Sequence, residues 1–398
     1  MNTPTRAAAS RPPPPDPAAA AHSQALVQSI TDELRQSGGW LPFSRYMELA
    51  LYAPGLGYYS SGARKFGEDG DFVTAPEISP LFARCLATQV ADVLTTLGGG
   101  ELLEFGAGTG VMAADMLLAL ETLDALPRRY SIVEVSADLK NRQQATLRER
   151  CPALADRVHW LDSPPTSGFR GVMVGNEVLD ALPVDCFEVA GHEVQNRGVS
   201  LENGHLQWQS RPADNELVQA VRNIEALLGQ SLPDGYRGEC CLRLSAWLQT
   251  ATAGLEAGVL LLADYGLSGD QLYLPERNGG TLACHYRHRF HDDPFFLPGL
   301  NDITAWVDFS AVGAAATEAG LSVAGFSTQA HFLFGCDLEG VLAAAMASDA
   351  STTAQLSLAR EVKQLTLPGE MGERFKVIGL VKDYSQPLRG FGLRELSL

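Results

Sequence analysis

The sequence predicts an α/β fold in which helices flank a mostly parallel sheet of about seven strands. Two observations lead to this prediction. From residue 101 onward, short apolar runs of strand length alternate with longer helical patterns, which is typical of a parallel sheet. The first of these runs, Glu101–Phe105, continues directly into a glycine-rich loop and a helical segment, as it does in doubly wound sheets.

Each element of this sheet is predicted from its own apolar pattern. The predicted strands are Glu101–Phe105, Tyr130–Glu134, Arg157–Leu161, Gly171–Gly175, Val259–Asp264, Leu321–Ser327 and Phe375–Val381. The predicted helices are His22–Ser37, Ser44–Tyr52, Pro80–Leu97, Val111–Leu123, Ala137–Glu149, Leu244–Leu255, Phe309–Ala319, Leu338–Ala347 and Thr353–Leu365.

The chain divides into a core and added segments. Residues 1–21 are rich in proline and alanine and predict a disordered tail, with a transit peptide as the alternative. Residues 22–100 form a helical N-terminal segment. The core comprises residues 101–183 and 255–384, with a late helical insertion at 336–370. Between its two parts, residues 184–254 predict an inserted β-meander with helices, marked by the hairpin signal Asn203-Gly204.

The composition excludes some classes of function. A formal net charge of −17 opposes binding to a phosphate backbone, so we expect a protein partner and no nucleic acid. No run of about 18 apolar residues occurs, so we expect no membrane span. The 7 cysteines form no C-x-x-C pair, which favours a reducing compartment, the bacterial cytoplasm or alternatively the mitochondrial matrix. The oligomeric state stays open, with a homodimer as one alternative.

Three histidines, His285, His288 and His291, have a spacing that invites a metal hypothesis. Arginines interleave with them, and neither a cysteine pair nor an acidic residue at ligand spacing accompanies them. We therefore predict a polar loop and no metal.

The glycine-rich loop is the sharpest motif in the sequence. It reads Glu104-Phe-Gly106-Ala107-Gly108-Thr-Gly110 and follows a strand. Glycines allow tight turns and close approach of a ligand, and the following helix N-terminus offers unpaired N–H groups. Dinucleotide-binding loops need a glycine where Val111 stands. The loop therefore departs from the NAD-binding pattern, and an NAD-dependent oxidoreductase is kept only as an alternative. A plain tight turn is the other alternative.

Acidic residues end the second and third strands of the predicted sheet. Glu134 can accept hydrogen bonds from both hydroxyls of a ribose, which an adenosyl ligand and NAD share. Asp162 comes just after the third strand. A solvated strand-end acid is the alternative for Glu134.

Four further blocks accompany the loop, and together they resemble the MidA family of class I methyltransferases. They are Leu56-Gly-Tyr-Tyr-Ser60, Gly70-Asp-Phe-Val-Thr-Ala-Pro-Glu-Ile-Ser79, Gly175-Asn-Glu-Val-Leu-Asp-Ala-Leu-Pro183 and Asp302-Ile-Thr-Ala-Trp-Val-Asp-Phe309. The resemblance covers roughly residues 22–384. It implies a Rossmann-like sheet that binds S-adenosyl-L-methionine, with residues 184–254 serving the substrate. Class I methyltransferases often place an acid near the adenine amine at the position of Asp162, for which a helix cap or a solvated loop is the alternative.

The resemblance also assigns residues and a reaction. The mitochondrial members of this family symmetrically dimethylate an arginine of a respiratory complex I subunit, and bacterial members share the blocks. The resemblance implies that Glu104 lies beneath the methionine moiety and that Gly106, Ala107, Gly108 and Gly110 pack against the cofactor. Asp71 and Thr74 then close one side of the site, although an Asx-turn and a helix cap before Pro76 explain them equally well.

The catalytic prediction concerns Glu177, with Asn176 or Asp180 assisting. These residues follow the fourth strand, and ligands of such sheets bind outside the carboxyl ends of the strands. If the stretch forms a helical turn, Glu177 and Asp180 point to one side and can hold a guanidinium. The alternative is that Asp180 caps a turn while Glu177 is solvated. An assembly chaperone that keeps the cofactor pocket without turnover is a further alternative.

Overall fold

The computed structural model describes residues 14–61 and 74–398. Its α-helices are α1 (Pro17–Gln36), α2 (Phe43–Tyr52), α3 (Ala75–Ile78), α4 (Pro80–Thr96), α5 (Val111–Thr122), α6 (Ala137–Arg150), α7 (Asn215–Leu228), α8 (Leu244–Thr252), α9 (Gly269–Leu272), α10 (Phe309–Glu318), α11 (Gln329–Gly335), α12 (Leu338–Ser348), α13 (Thr352–Thr366) and α14 (Met371–Arg374). Its strands are β1 (Trp40–Pro42), β2 (Glu101–Phe105), β3 (Tyr130–Val133), β4 (Val158–Leu161), β5 (Phe169–Asn176), β6 (Asp185–Ala190), β7 (Glu193–Glu202), β8 (His205–Pro212), β9 (Arg237–Cys240), β10 (Leu255–Leu267), β11 (Ala283–Tyr286), β12 (Arg289–His291), β13 (Asp302–Thr304), β14 (Val307–Asp308), β15 (Ser322–Thr328) and β16 (Phe375–Lys382).

The described residues divide into two compact units. The first, which we call the accessory unit, combines the part of the chain before residue 62 with Ala181–Arg243 and Tyr273–Trp306. The second, the sheet unit, combines the stretch from Thr74 to Asp180 with Leu244–Leu272 and Val307–Leu398. The chain therefore leaves and re-enters the sheet unit twice.

The sheet unit contains the predicted mostly parallel sheet. Its strand order is β15-β16-β10-β5-β2-β3-β4, and β14 pairs with β10 beside this path. The strands β10, β5, β2, β3 and β4 are parallel, while β16 is antiparallel to both of its neighbours. The predicted α/β fold class is confirmed.

The strand order reverses at β2. Its successor in sequence, β3, lies on one side of it, whereas β5 lies on the other. Connections that leave in opposite directions open a crevice at the carboxyl ends of these two strands, which is where such sheets bind ligands. The glycine loop after β2 and the Asn176 region after β5 both lie at this edge.

The core of the sheet unit explains why these sequences form central strands. Val172 and Val174 of β5 and Val259 and Leu261 of β10 are 0–2% exposed and belong to one apolar cluster with helices α4 and α5. Strands covered on both faces require near-continuous apolar runs, which β10 provides. The core therefore holds the carboxyl ends of the parallel strands at fixed spacing.

The accessory unit is built on an antiparallel sheet in the order β1-β7-β6-β9, with β8 also paired to β7. The predicted hairpin at Asn203-Gly204 is confirmed, because both residues have positive φ (50° and 82°), as a type I′ turn requires. Helix α1 packs its buried positions Leu26, Ile30 and Leu34, spaced four residues apart, into the core of this unit.

Two local predictions need correction. Helix α1 begins at Pro17, with Asp16 as its N-cap, so residues 17–21 of the predicted tail are helical. The histidine segment is a hairpin and not a polar loop. His285 lies on β11 and His291 on β12, and His288 lies in the turn between them.

In the part of the chain that the structure describes, no single helix has the length and apolar character to cross a membrane. The helices α11 and α12, which are bent by 72° relative to each other, are long and apolar enough to cross a membrane only when they are counted as one segment.

Candidate active site

The glycine loop after β2 has a backbone that requires glycine. Gly106, Gly108 and Gly110 have φ values of 64°, 51° and 85°, in the left-handed region that L side chains rarely adopt. A Cβ atom on Gly110 would lie 3.0 Å from Cα of Gln143 in α6, and one on Gly106 would lie 3.1 Å from Val178. The loop is therefore held against two other elements and is more than a simple turn.

The loop leads directly into α5. Gly110 is the N-cap residue of α5, and its N–H donates to the carbonyl of Ala107 at 2.7 Å. Ala107 is 6% exposed and packs into the core, which anchors the middle of the loop. The N-terminus of α5 therefore lies beside the crevice, where its dipole favours a negatively charged ligand group.

Helix α3, which begins after Thr74, contacts this loop through a hydrogen bond. The hydroxyl of Thr109 donates to the carboxylate of Glu77 in α3. Thr74 is the N-cap residue of α3, and its carbonyl accepts from the N–H of Glu77 at 2.9 Å, although its side chain makes no capping hydrogen bond. Asp71 lies outside the described residues. Glu77 is a site residue that sequence reasoning did not single out.

Glu104 is an acid in an apolar setting. Its side chain is fully buried, and one carboxylate oxygen accepts from the hydroxyl of Tyr130 at 2.6 Å. The other oxygen, Oε1, has no hydrogen-bond partner among the described residues. Burial raises the pKa of Glu104 to about 7, and the Tyr130 hydroxyl opposes this rise. An unsatisfied buried oxygen beneath the loop is available to a ligand group that carries a donor.

Glu134 follows β3 and is not a solvated strand-end acid. It is 8% exposed, and its carboxylate accepts from the N–H of Ser136 at 2.8 Å and from the Gln143 amide at 3.1 Å. Burial raises the pKa of Glu134, while these donors lower it. The next residue, Val135, is 78% exposed.

Asp162 lies on the exposed side of the same edge. It follows β4, and its carboxylate pairs with the ammonium group of Lys140 at 2.6 Å. That contact lowers the pKa of Asp162. The side chain is 87% exposed, so it is accessible to a ligand that spans the ends of β3 and β4.

The turn after β5 carries the predicted catalytic residues. Glu177 has a φ of 53°, a conformation that costs free energy for a residue with a Cβ and that is common at functional sites. Its N–H donates to the carbonyl of Ala263 in β10 at 2.9 Å, and the side-chain amide of Asn176 donates to its carboxylate at 3.1 Å. The backbone and the side chain of Glu177 are therefore both oriented.

Asp264 of β10, which comes just after the last residue of β10 that pairs with β5, holds this turn. Its Oδ2 atom accepts three consecutive backbone N–H groups, and its Oδ1 atom accepts a fourth, from Tyr265 at 2.9 Å. The three donors to Oδ2 are Val178, Leu179 and Asp180, at 3.1, 2.9 and 3.2 Å. The helical turn that was the condition for Glu177 and Asp180 to point to one side does not form, because Asp264 accepts the N–H groups and the chain passes through a left-handed residue.

Three acids meet at this point. Burial raises the pKa of Asp264, and the carboxylates of Asp180 and Glu177 raise it further, while the N–H groups that it accepts lower it. Asp264 and Asp180 are 1% and 6% exposed. Buried carboxylates in mutual repulsion are relieved by a cation, so the turn suits a positively charged ligand group.

The sheet unit thus holds the described members of the predicted site together. The loop residues, Glu134 and Asp162 follow β2, β3 and β4, while the catalytic candidates follow β5. Sequence reasoning missed the contacts of Glu77 and Gln143, and it included Asp264 only as the last residue of a predicted strand.

Known proteins resemble this chain over most of its length. The model of an S-adenosyl-L-methionine-dependent methyltransferase family matches residues 85–327. A candidate methyltransferase from Burkholderia thailandensis, crystallised with S-adenosyl-homocysteine, is 44% identical, with a TM-score of 0.91 over 97% of this chain and 99% of that chain. The mitochondrial protein arginine methyltransferase NDUFAF7 of Rattus norvegicus is 28% identical, over 87% of this chain and 82% of its own length. The Caenorhabditis elegans homologue is 26% identical, over 89% and 86%.

These similarities identify the cofactor as S-adenosyl-L-methionine, so the NAD alternative is wrong. The residues present fit it. The three glycines of the loop have no Cβ to obstruct a ligand, Glu134 offers carboxylate oxygens for ribose hydroxyls, and Glu104 has an oxygen without a partner among the described residues. The chain belongs to the MidA family of S-adenosyl-L-methionine-dependent methyltransferases.

Proposed function

We propose that the protein is a protein arginine N-methyltransferase that carries out symmetric dimethylation. The observation that carries this proposal is the meeting of Glu177 and Asp180, after the end of β5, with Asp264 of β10. A guanidinium group offers five N–H donors in a plane and keeps its positive charge, which matches clustered carboxylates better than any other protein side chain does.

The proposed roles follow from the geometry of the turn. Glu177 accepts N–H groups of the guanidinium, and Asn176, through its hydrogen bond to Glu177, fixes the plane of that carboxylate. Asp180 adds a second negative charge, and Asp264 keeps the turn in place. The bound cofactor supplies an activated methyl group, so the protein residues mainly align the nitrogen and exclude water.

We assign the cofactor contacts to the opposite part of the same edge. Glu104, Gly106, Ala107, Gly108 and Gly110 pack beneath and around the methionine portion. Glu134 holds the ribose and Asp162 lies near the adenine, while Asp71 and Thr74 close the site. Because these residues belong to different elements, a single substitution can test each assignment separately.

The substrate proposal draws on the named relatives. Those relatives are mitochondrial protein arginine methyltransferases, at 26–28% identity. We propose an arginine-containing protein as the substrate, either a subunit of respiratory complex I or another protein of a bacterial cell. A cytoplasmic enzyme is expected in a bacterium, with the mitochondrial matrix as the alternative.

The test is transfer of a labelled methyl group from S-adenosyl-L-methionine to proteins of cells that lack this gene. After acid hydrolysis, amino-acid analysis by mass spectrometry identifies the modified residue. We expect label in symmetric dimethylarginine and in its monomethyl precursor. Label in lysine, label released as methanol from carboxyl methyl esters, or label in small molecules alone would contradict the proposal.

A further inference from the structure

Gln143 of α6 joins three elements of the cofactor site through one side chain. It is fully buried, and its Nε2 atom donates to the carbonyl of Gly108 and to the carboxylate of Glu134, both at 3.1 Å. Its Oε1 atom accepts from the indole N–H of Trp160 in β4 at 2.7 Å. The glycine loop, the end of β3 and β4 therefore meet at a single amide.

The orientation of this amide is determined by its partners. An indole nitrogen only donates, so Trp160 must face the amide oxygen. The NH₂ group then faces the carbonyl of Gly108 and the carboxylate of Glu134, both of which only accept. A rotation of the amide by half a turn would oppose donor to donor and acceptor to acceptor, so Trp160 locks the donors toward the site.

The main chain around Gln143 is equally constrained. The position where Gly110 would carry a Cβ lies 3.0 Å from Cα of Gln143, so α6 lies directly against the loop. Interiors packed this closely transmit small displacements of one element to its neighbours. A substitution of Gln143 is therefore expected to displace both the glycine loop and the Glu134 side chain.

We propose that Gln143 is a positioning residue that sets the spacing between the glycine loop and the ribose acid Glu134, and that Trp160 keeps it in the productive orientation. This inference rests on the assignment of the cofactor to Gly106–Gly110 and Glu134. No contact between Gln143 and the cofactor is required, since it acts through the groups that it holds.

The charge state of Glu134 provides a readout that a purely structural role would leave unchanged. Glu134 must be ionised to accept two ribose hydroxyls. The groups that favour its charged form are the N–H groups of Ser136 and Val135, the Gln143 amide and the ammonium of Lys140, which pairs with Asp162. Loss of the amide raises the pKa of Glu134 further, because burial is then opposed by fewer donors.

The experiment compares full-length variants in the affinity for S-adenosyl-L-methionine as a function of pH. Gln143→Met keeps the length of the side chain and removes its hydrogen bonds. Trp160→Phe keeps one aromatic ring and removes the indole N–H together with the rest of the bicyclic indole. The matched control is Gln329→Met, because Gln329 is another fully buried glutamine of the sheet unit and donates to the carbonyl of Leu365 at 3.0 Å.

We expect Gln143→Met to weaken binding about tenfold near neutral pH, as loss of a hydrogen bond to a charged group does. We also expect the acidic limb of its affinity profile to move to higher pH. Trp160→Phe should move the same limb in the same direction by a smaller amount. Gln329→Met should lower the unfolding midpoint and leave the affinity profile unchanged.

Other outcomes overturn the inference. A wild-type profile for both Gln143→Met and Trp160→Phe would leave Gln143 as a packing residue. If Gln143→Met does not fold, a wild-type acidic limb in Trp160→Phe has the same consequence. The variant Glu134→Ala separates this failure from failure of the cofactor assignment. Weaker binding in Glu134→Ala with unchanged Gln143→Met rejects only the inference, whereas unchanged binding in Glu134→Ala rejects the assignment beneath it.

Discussion

Replacing Gly110 by alanine tests whether the glycine loop is the cofactor loop. An alanine at a φ of 85° costs roughly 1–2 kcal/mol, because its Cβ crowds the following carbonyl. The new Cβ would also lie 3.0 Å from Cα of Gln143 and 3.3 Å from its Cβ and Cγ. A backbone atom cannot rotate away, so the loop must shift away from α6.

Gly229 offers a matched control for this substitution. It caps α7 in the accessory unit at a φ of 65°, and a Cβ there meets nothing within 4 Å. Gly229→Ala should therefore lower the free energy of unfolding by about 1 kcal/mol and leave cofactor binding unchanged. Gly110→Ala should lower the free energy of unfolding by more, and it should weaken S-adenosyl-L-methionine binding about tenfold or more.

Calorimetric titration and urea unfolding of both variants measure these effects. If Gly110→Ala binds the cofactor with the wild-type Kd, the contact between the loop and α6 does not shape the cofactor site. A loss of binding in Gly229→Ala would show that backbone strain far from the loop has the same effect. Weaker binding in Gly110→Ala would then not identify the glycine loop as the cofactor loop.

Two further predictions concern the buried acids of the site. Glu134→Ala removes a charge-assisted acceptor worth about 1.5–3 kcal/mol, so the Kd for S-adenosyl-L-methionine should rise about tenfold to a hundredfold; an unchanged Kd in calorimetry would move the ribose contact elsewhere. Glu104 has a folded-state pKa of about 7, above its usual value, so its contribution to stability is full at low pH and is lost as the pH rises through 7. From about pH 5.5 to about pH 8, the wild type should therefore lose about 2 kcal/mol of unfolding free energy relative to Glu104→Gln, and parallel urea curves for the two proteins would refute this.

The fold could be predicted from the sequence because its signals are local. The run Val259–Leu262 and the order strand, glycine, helix after Glu101 each specify an element without reference to distant residues. The Asn203-Gly204 hairpin was predictable for the same reason, since both residues tolerate positive φ. The histidine hairpin was missed because its turn uses Arg287 and His288, with φ values of 49° and 59°, which give no turn signal in the sequence.

The connections within the site were not predictable because they span long separations. Asp264 accepts the N–H of Asp180 across 84 residues, and nothing near either residue indicates the pairing. Gln143 lies between Leu139 and Leu147 on the buried face of α6, but its hydrogen bonds to Gly108, Glu134 and Trp160 depend on the packing of α6 against the loop and β4. Local sequence therefore indicates the groups that we propose to contact ligands better than the groups that hold them in place.

The central claim is that Glu177 orients a cationic nucleophile next to the cofactor. The most direct test is single-turnover methyl transfer by Glu177→Gln with saturating S-adenosyl-L-methionine and the true protein substrate. The amide keeps the shape of the side chain but loses the negative charge that a buried guanidinium requires. We expect an unchanged Kd for the cofactor and a rate at least about a hundredfold lower, with a smaller loss in Asp180→Asn. A wild-type rate in Glu177→Gln would contradict the claim.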